Sequence, residues 1–412
     1  MFDKLKNLFA VLAHPTTPSD PRMEQQMHLI REKTPVPVFW LLGRTQSGKT
    51  SIVRYLTGAE RAEIGKGYQP CTRFSSRYAF PLEDAPLLTF LDTRGLDEPG
   101  YDPTEDLARF NDEAHLLLVT VKLLDHAQQH LVEQLRRIRA ANRRRPVVLV
   151  VTCLHEAYPR QQHPPHYPFG PDGEPLPGSE VPPQVVESLT FQRQRFAGLY
   201  DRLVPIDLTP PEEGFDQPNF GGAELRQTLL DLLPAALAQT LRTLDLAQRN
   251  LQDLFARRAQ PIILAYTTMA GTAGAVPIPV VDIMLISAVQ TKMLYDLAKL
   301  YGQPLTKQRL GELTGALGVG LLGRQAGRSL LKLIPGLGSV FGSVAGGALA
   351  AGSTYALGMA FCYYYRVILE GQSPDPEKLR EYYKEQLSEA QAAWAKLHPA
   401  PGTPAATPEA KP

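Results

Sequence analysis

The sequence predicts an α/β chain, a mostly parallel sheet covered by helices, followed by an all-α, glycine-rich helical domain. Three observations predict it. Between residues 36 and about 240, short apolar runs alternate with helical stretches, the pattern of a parallel sheet buried on both faces. A glycine-bearing loop, GRTQSGKT at 43–50, lies between the first apolar run and the first helical one. After about residue 240 the chain changes to long, weakly polar stretches rich in Gly and Ala.

With 412 residues the chain has room for two or three domains. A net charge of +1 gives no overall field to recruit nucleic acid or an acidic partner, and no specific nucleic-acid site is evident. Cys71, Cys153 and Cys362 have no metal-site spacing and cannot all pair internally, which fits a reduced, cytoplasmic setting. The start, MFDKLKNLFAVLAHP, has too short and too charged an apolar run for a secretory signal. Phe2, Leu5, Leu8, Phe9 and Leu12 fall on one side of a helix over 1–15. Such a helix packs on the body or lies on a membrane surface. Residues 1–35 thus read as a helix and a polar linker.

Over 36–240 the apolar runs Val36–Leu42, Leu87–Leu91, Leu116–Val121, Val147–Val151 and, more weakly, Val204–Leu208 read as strands, with a helix at Asp125–Arg139. Residues 159–183 carry too many prolines for a helix or an inner strand and read as a mobile surface insertion. His163 and His166 within it are candidate metal ligands that lack a third partner in the sequence. Six arginines at 136–145 fall at a helix C-terminus, where they suit the helix dipole or offer a patch for RNA or anionic lipid.

VPVFWLLGRTQSGKTSIVRYL sets a strand, the glycine loop and a helix in the order a phosphate site needs. Gly43 and Gly48 let the backbone turn its N–H groups on the phosphates, Lys49 reaches the β- and γ-phosphates, and Thr50 offers its hydroxyl to Mg²⁺. Arg44, Thr45, Gln46, Ser47 and Ser51 complete the nucleotide-binding candidates, and the new helix aims its positive end at the same anion. In LLTFLDTRGL, Asp92 ends an apolar strand where a carboxylate reaches Mg²⁺ through water. Gly95 follows three residues on, where its N–H senses a γ-phosphate.

With these motifs, residues 36–210 resemble an Era- or TrmE-like GTPase domain. The resemblance implies GTP and Mg²⁺ as ligands, with Lys49, Thr72, Asp92 and Gly95 as the catalytic set and Thr50, Thr72 and Asp92 around the metal. Thr72 of QPCTRF matches the switch I threonine in sequence order, with Ser75 and Ser76 as fallbacks. Leu96 follows the DxxG motif and cannot orient a water, so hydrolysis is expected to be slow unless a partner, a dimer or a metal ion assists. Some relatives hold a potassium ion with a loop asparagine, where this chain has Gln46. Arg94 is either a finger supplied within a homodimer or a solvated switch residue.

The base-reading segment departs from the pattern. Relatives carry Asn or Thr, then Lys, any residue and Asp, while this chain reads VVTCLHE. Thr152 matches the first position, Cys153 replaces the lysine, His155 stands at the Asp position and Glu156 one residue later. A carboxylate, which only accepts hydrogen bonds, selects guanine over adenine. Glu156 or a suitably protonated His155 takes that role, or base selectivity is weak. Leu208 and Thr209 are candidates for backbone contacts to the base.

In the helical domain, 241–398, the segments 261–281 and 333–365 are uncharged. Both exceed the roughly 20 residues that span a bilayer, and the same surfaces would serve a helical core. Pro277 and Pro279 would split the first, and Gly338, Gly342 and Gly346 give the second a smooth face. Asp282 starts a new helix or pairs with Lys292 or another cation. Through VPIPxxD and IPGxG, residues 255–370 resemble a domain of unknown function fused to Era-like GTPases and found in bacterial inner-membrane proteins. That implies a bacterial source and association with the cytoplasmic face of a membrane. Residues from 373 form an amphipathic helix through Leu379, Tyr383, Leu387 and Trp394, and 399–412 a disordered tail. The chain is expected to be a GTP-dependent switch coupled to a membrane or membrane protein. The alternatives are an integral membrane protein whose nucleotide domain regulates assembly and an ATP-using protein.

Overall fold

The computed structural model describes residues 28, 30–60, 64, 69–70, 75–93, 104–110, 112–249, 254–275, 282–302, 305, 344–370 and 372–397. The chain divides into two units, residues 35–249 and residues 1–34 with 250–412.

The first unit is built on seven strands: β1 (Val38–Gly43), β2 (Gln69–Pro70), β3 (Ser75–Leu82), β4 (Ala85–Thr93), β5 (Leu116–Lys122), β6 (Val147–Thr152) and β7 (Arg202–Pro205). Their order in the sheet is β2-β3-β4-β1-β5-β6-β7. β4, β1, β5, β6 and β7 run parallel, and β2 and β3 add an antiparallel edge. The helices of this unit are α1 (Lys49–Thr57), α2 (Thr104–Phe110), α3 (Gln129–Ala141), α4 (Pro183–Arg195), α5 (Gly222–Leu232) and α6 (Ala235–Arg249). Every residue of β1 and β6 is buried, as their unbroken apolar runs require. Trp40 and Leu42 share one core with Leu131, Leu135 and Ile138 of α3 and with Val185 and Leu189 of α4. Trp40 meets Phe110 edge-on at 5.5 Å.

Three expectations change. β7 begins and ends earlier than the apolar run Val204–Leu208, although the Ile206 N–H still donates to the Val151 carbonyl of β6 at 2.7 Å. β3 is an added strand; SSRYAFPL has no continuous apolar run and bulges at Phe80/Pro81. The insertion 159–183 contains short 3₁₀ turns and one isolated bridge, Phe169 with Pro175, but it is pinned to the body. His163 and Phe169 are buried, the Tyr167 hydroxyl donates to the Pro205 carbonyl at 2.9 Å, and Asp172 accepts from the Leu203 N–H at 3.2 Å. Of the six arginines, Arg139 pairs with Asp201 through two bonds, at 2.6 and 2.9 Å, and Arg145 is buried over Trp40. Arg136, Arg137, Arg143 and Arg144 are exposed.

The described part of the second unit contains α7 (Leu254–Ala275), α8 (Asp282–Leu300), α9 (Val344–Leu369) and α10 (Pro376–Leu397). α7 packs on α8 and α9, and α9 packs on α10. A Cβ at Gly358 would lie 2.8 Å from Ile263, so a glycine sets how closely α9 approaches α7. Gly338, Gly342, Pro277 and Pro279 lie outside the described residues, as do 1–27 and the tail. Asp282 opens α8. Lys292 pairs with Asp296 at 3.0 Å, whereas Asp282 lies ten residues away on the same helix, about 15 Å along its axis. The Tyr266 hydroxyl donates to Asp296 at 2.5 Å, joining α7 to α8. Among the described residues no helix is long and apolar enough to cross a membrane.

Candidate functional site

The phosphate end of the site forms where β1 stops. Gly43 cannot carry a side chain: a Cβ there would lie 2.1 Å from Thr120 Oγ1 and 2.7 Å from Ser47 Oγ. Gln46 (φ 62°) and Gly48 (φ 92°) take left-handed backbone turns, which fold the loop back before α1 begins at Lys49. Ser47 Oγ donates to the Arg44 carbonyl at 2.8 Å and shares a 2.6 Å bond with Thr120 Oγ1. Lys49 Nζ donates to the carbonyls of Gly43 (2.8 Å) and Arg44 (3.0 Å) and lies 3.9 Å from Asp92. Its ammonium is thus already held over the loop where an anion would sit. Arg44 turns outward to Asp125 at 3.0 Å, and Thr45 is exposed.

Asp92 sits near the end of β4 beside Leu41 of β1, largely buried. Thr50 and Ser51 occupy the first turn of α1, both partly exposed. Thr50, Lys49 and Asp92 thus come from the loop-to-helix junction and the neighbouring strand, a donor set of hydroxyl, ammonium and carboxylate that fits a phosphate with a hard divalent cation. Thr72, Arg94, Gly95 and Leu96 lie outside the described residues. Ser75 and Ser76 are buried in β3, with Ser76 paired opposite Asp92.

The base end is assembled differently. Thr152 Oγ1 donates to the Ser47 carbonyl at 3.0 Å and to the Val121 carbonyl at 3.2 Å, so this residue braces the phosphate loop. Cys153 takes a left-handed turn (φ 59°), uncommon for a side chain of this kind, and a 3₁₀ turn over Leu154–Ala157 follows. There the His155 backbone N–H donates to Asp207 Oδ2 at 2.7 Å, and the His155 ring meets the same oxygen through Nδ1 at 2.6 Å. His163 Nε2 reaches that oxygen at 3.1 Å, with its ring stacked on Phe220 at 4.5 Å. Glu156 instead lies 3.9 Å from Lys122 Nζ. Leu208 offers its carbonyl to Arg54 of α1 at 3.1 Å, and Thr209 is buried with its N–H on the Asp207 carbonyl.

The hydrogen bond to Asp207 raises the His155 pKa above its ordinary value, against the lowering effect of burial. Burial pushes Asp207 up, but the bonds from His155 and His163 outweigh it and hold the carboxyl below its ordinary value. Burial and Asp207 push the Cys153 thiol up. Asp207 is the functional candidate that sequence reasoning missed. The fixed spacing that exposes a motif is absent, because 44 residues separate it from His163 and 52 from His155. His166 is exposed and outside the cluster, so the structure does not bring His163 and His166 together as a metal-binding pair.

A family model described as a 50S ribosome-binding GTPase matches residues 38–153, and one described as a domain of unknown function, DUF697, matches residues 238–392. The two models fall in the order the motifs implied. Magnetosome membrane protein 22 of Magnetospirillum gryphiswaldense is 33% identical over 143 residues, 34% of this chain and 73% of the relative. Among solved structures, the bacterial dynamin GTPase LeoA from ETEC aligns at TM-score 0.35 and 14% identity, covering 95% of this chain and 85% of its own. The G domain of the T. maritima FeoB iron transporter aligns at TM-score 0.26 and 16% identity, over 48% of this chain and 98% of its own. The bacterial selenocysteine-specific elongation factor EF-Sec aligns at TM-score 0.29 and 14% identity over 48% of this chain, which spans 28% of that factor.

Proposed function

Because this chain belongs to the family that joins a GTPase domain to DUF697, we propose that it is a GTP-controlled switch acting on a membrane or a membrane-bound partner. The observation that carries the switch is the convergence of Lys49, Thr50 and Asp92 beside a loop in which Gly43 leaves no room for a side chain and Gly48 takes a left-handed angle. Lys49 would move from its two carbonyl partners to the β- and γ-phosphates, exchanging two neutral acceptors for a charged one. Thr50 and Asp92 would hold Mg²⁺, with Thr72 as the sequence candidate for the third contact. When bound, that ion neutralises charge on the phosphate oxygens. The GTPase family implies hydrolysis of GTP. A slow intrinsic rate is our reading of Leu96, which has no group to orient a water.

Membrane association is supported by the name of the relative, a magnetosome membrane protein. Attachment to the cytoplasmic face fits a switch whose helical unit transmits the nucleotide state. Comparing vesicle flotation with GTP, with GDP and without nucleotide tests the coupling: identical flotation in all three would separate the two units functionally. Alkaline carbonate extraction distinguishes an integral protein, which stays with the membrane. Lys49→Ala is expected to weaken GTP binding by at least about a hundredfold, through loss of a charge-assisted contact. Parent-like GTP affinity in that variant would remove the site assignment.

A further inference from the structure

We propose that the His155–Asp207 pair, backed by His163, reads the purine edge of the bound nucleotide and makes the choice between guanine and adenine depend on pH. The inference rests on the nucleotide reading above and adds the chemistry of its base end.

Position is the first support. His155 and Asp207 lie in the segments that leave the carboxyl ends of β6 and β7, where open parallel sheets bind ligands. Three residues before His155, Thr152 holds the Ser47 carbonyl of the phosphate loop. One residue after Asp207, Leu208 is held by Arg54 of α1.

Geometry is the second. One oxygen of Asp207 receives the backbone N–H and Nδ1 of His155 and Nε2 of His163. The side chains of His163 and Asp207 are 0% and 7% exposed, while that of His155 is 24% exposed. His155 is therefore the member of the cluster that a ligand meets. An ionised carboxylate only accepts, so Nδ1 of His155 keeps its proton in both charge states. The nitrogen that titrates is Nε2, for which the described residues supply no hydrogen bond.

The third support is chemical. In the neutral ring Nε2 is an acceptor and pairs with a donor such as N1–H of guanine. In the charged ring Nε2 is a donor, which opposes N1–H of guanine and suits the N1 acceptor of adenine. The groups facing His155 are Asp207 and His163, Glu156 on the same turn with Lys122 of β5 near it, Glu213 after β7, Cys153, and the edge of Phe215. The hydrogen bond to Asp207, and then the charges of Asp207, Glu156 and Glu213, raise the His155 pKa above its ordinary value against the lowering effect of burial.

The same three ligand atoms lie within 4.8 Å of one another, as in a metal site. A cation on Nε2 of His163 would move that ring's proton to Nδ1, which is buried without a hydrogen-bond partner. Metal-bound histidines almost always donate that second proton. The cluster is better explained as one held together by protons.

The test measures GDP and ADP affinities of the full chain with Mg²⁺ by calorimetry, at about pH 6 and about pH 8.5, either side of the histidine range. Taking the ratio cancels the phosphate ionisation that both nucleotides share. The GDP-over-ADP preference is expected to be at least about tenfold greater at the higher pH, a difference in line with one hydrogen-bonded contact. His155→Gln should make the ratio independent of pH while circular dichroism stays unchanged. Asp207→Asn should move the midpoint to lower pH. A flat ratio in the parent, a His155→Gln profile that still follows pH, or one tightly held transition-metal ion whose chelation abolishes the profile would each overturn the inference. If GDP binds, Lys49→Ala abolishes binding and the ratio is flat, only this inference falls. If neither nucleotide binds at either pH, the nucleotide reading falls with it.

Discussion

The phosphate end of the site and its base end lie on the same carboxyl edge of one sheet, yet they are built on opposite plans. The phosphate end is one continuous segment, 43–50, shaped by left-handed turns at Gln46 and Gly48 and closed by its own carbonyls on Lys49. The base end brings two histidines, His155 and His163, onto a single oxygen of the distant Asp207. A backbone-built loop depends on which residues can adopt its angles. A side-chain cluster depends on whether three separate segments are packed in place. The first should fail locally when altered, and the second should fail together with the fold around it.

His163→Ala separates the plans most clearly. It removes a ring stacked between Phe215 and Phe220 together with one donor to Asp207. A loss of about 2–4 kcal/mol is expected in urea unfolding, the range for emptying a packed core position. Phosphate-loop geometry should survive, so nucleotide binding should persist below the transition. Gly43→Ala does the converse. Its Cβ meets Thr120 and Ser47, for a cost of about 1–3 kcal/mol. GTP affinity measured by calorimetry should drop further than stability alone would suggest. Thr152→Val removes the bond that ties the two ends and should cost about 1 kcal/mol. Equal effects of His163→Ala and Gly43→Ala on nucleotide affinity would break the contrast.

The smallest effect is on stability against pH, and it belongs to the base end alone. The His155 pKa is raised on folding, so its contribution is complete below the unfolded value near about 6.5 and fades as pH rises through the folded value. The Asp207 pKa is lowered, so its contribution is present above about 3.9 and fades as pH falls through the folded value. The pair therefore stabilises most between these two unfolded values. Urea midpoints across that range should lose this feature in Asp207→Asn and keep it in Gly43→Ala.

The strand–loop–helix turn at 43–50 was legible in the sequence because its backbone leaves a local mark: glycines where space or angles demand them, a lysine and a threonine where the helix starts. β1, β5 and β6 could be assigned because burial on both faces leaves an uninterrupted apolar run. β3 was hidden because SSRYAFPL alternates imperfectly and carries Pro81 at its bulge. Asp207 was hidden for a different reason. A lone carboxylate in IDLTP is unremarkable until the fold carries His155 and His163 to it. The proline-rich insertion was read as loose for want of periodic apolar residues, although Tyr167 and Phe169 are enough to anchor it.

Helix α1 begins at Lys49, beside the phosphate loop, and its Arg54 grips the Leu208 carbonyl behind the base end. The stretch of α1 from Lys49 to Arg54, about 7.5 Å along the helix axis, therefore links the 43–50 loop to the segment after β7. It serves as a gauge: the interval between the 43–50 loop and Leu208 is set by helix geometry.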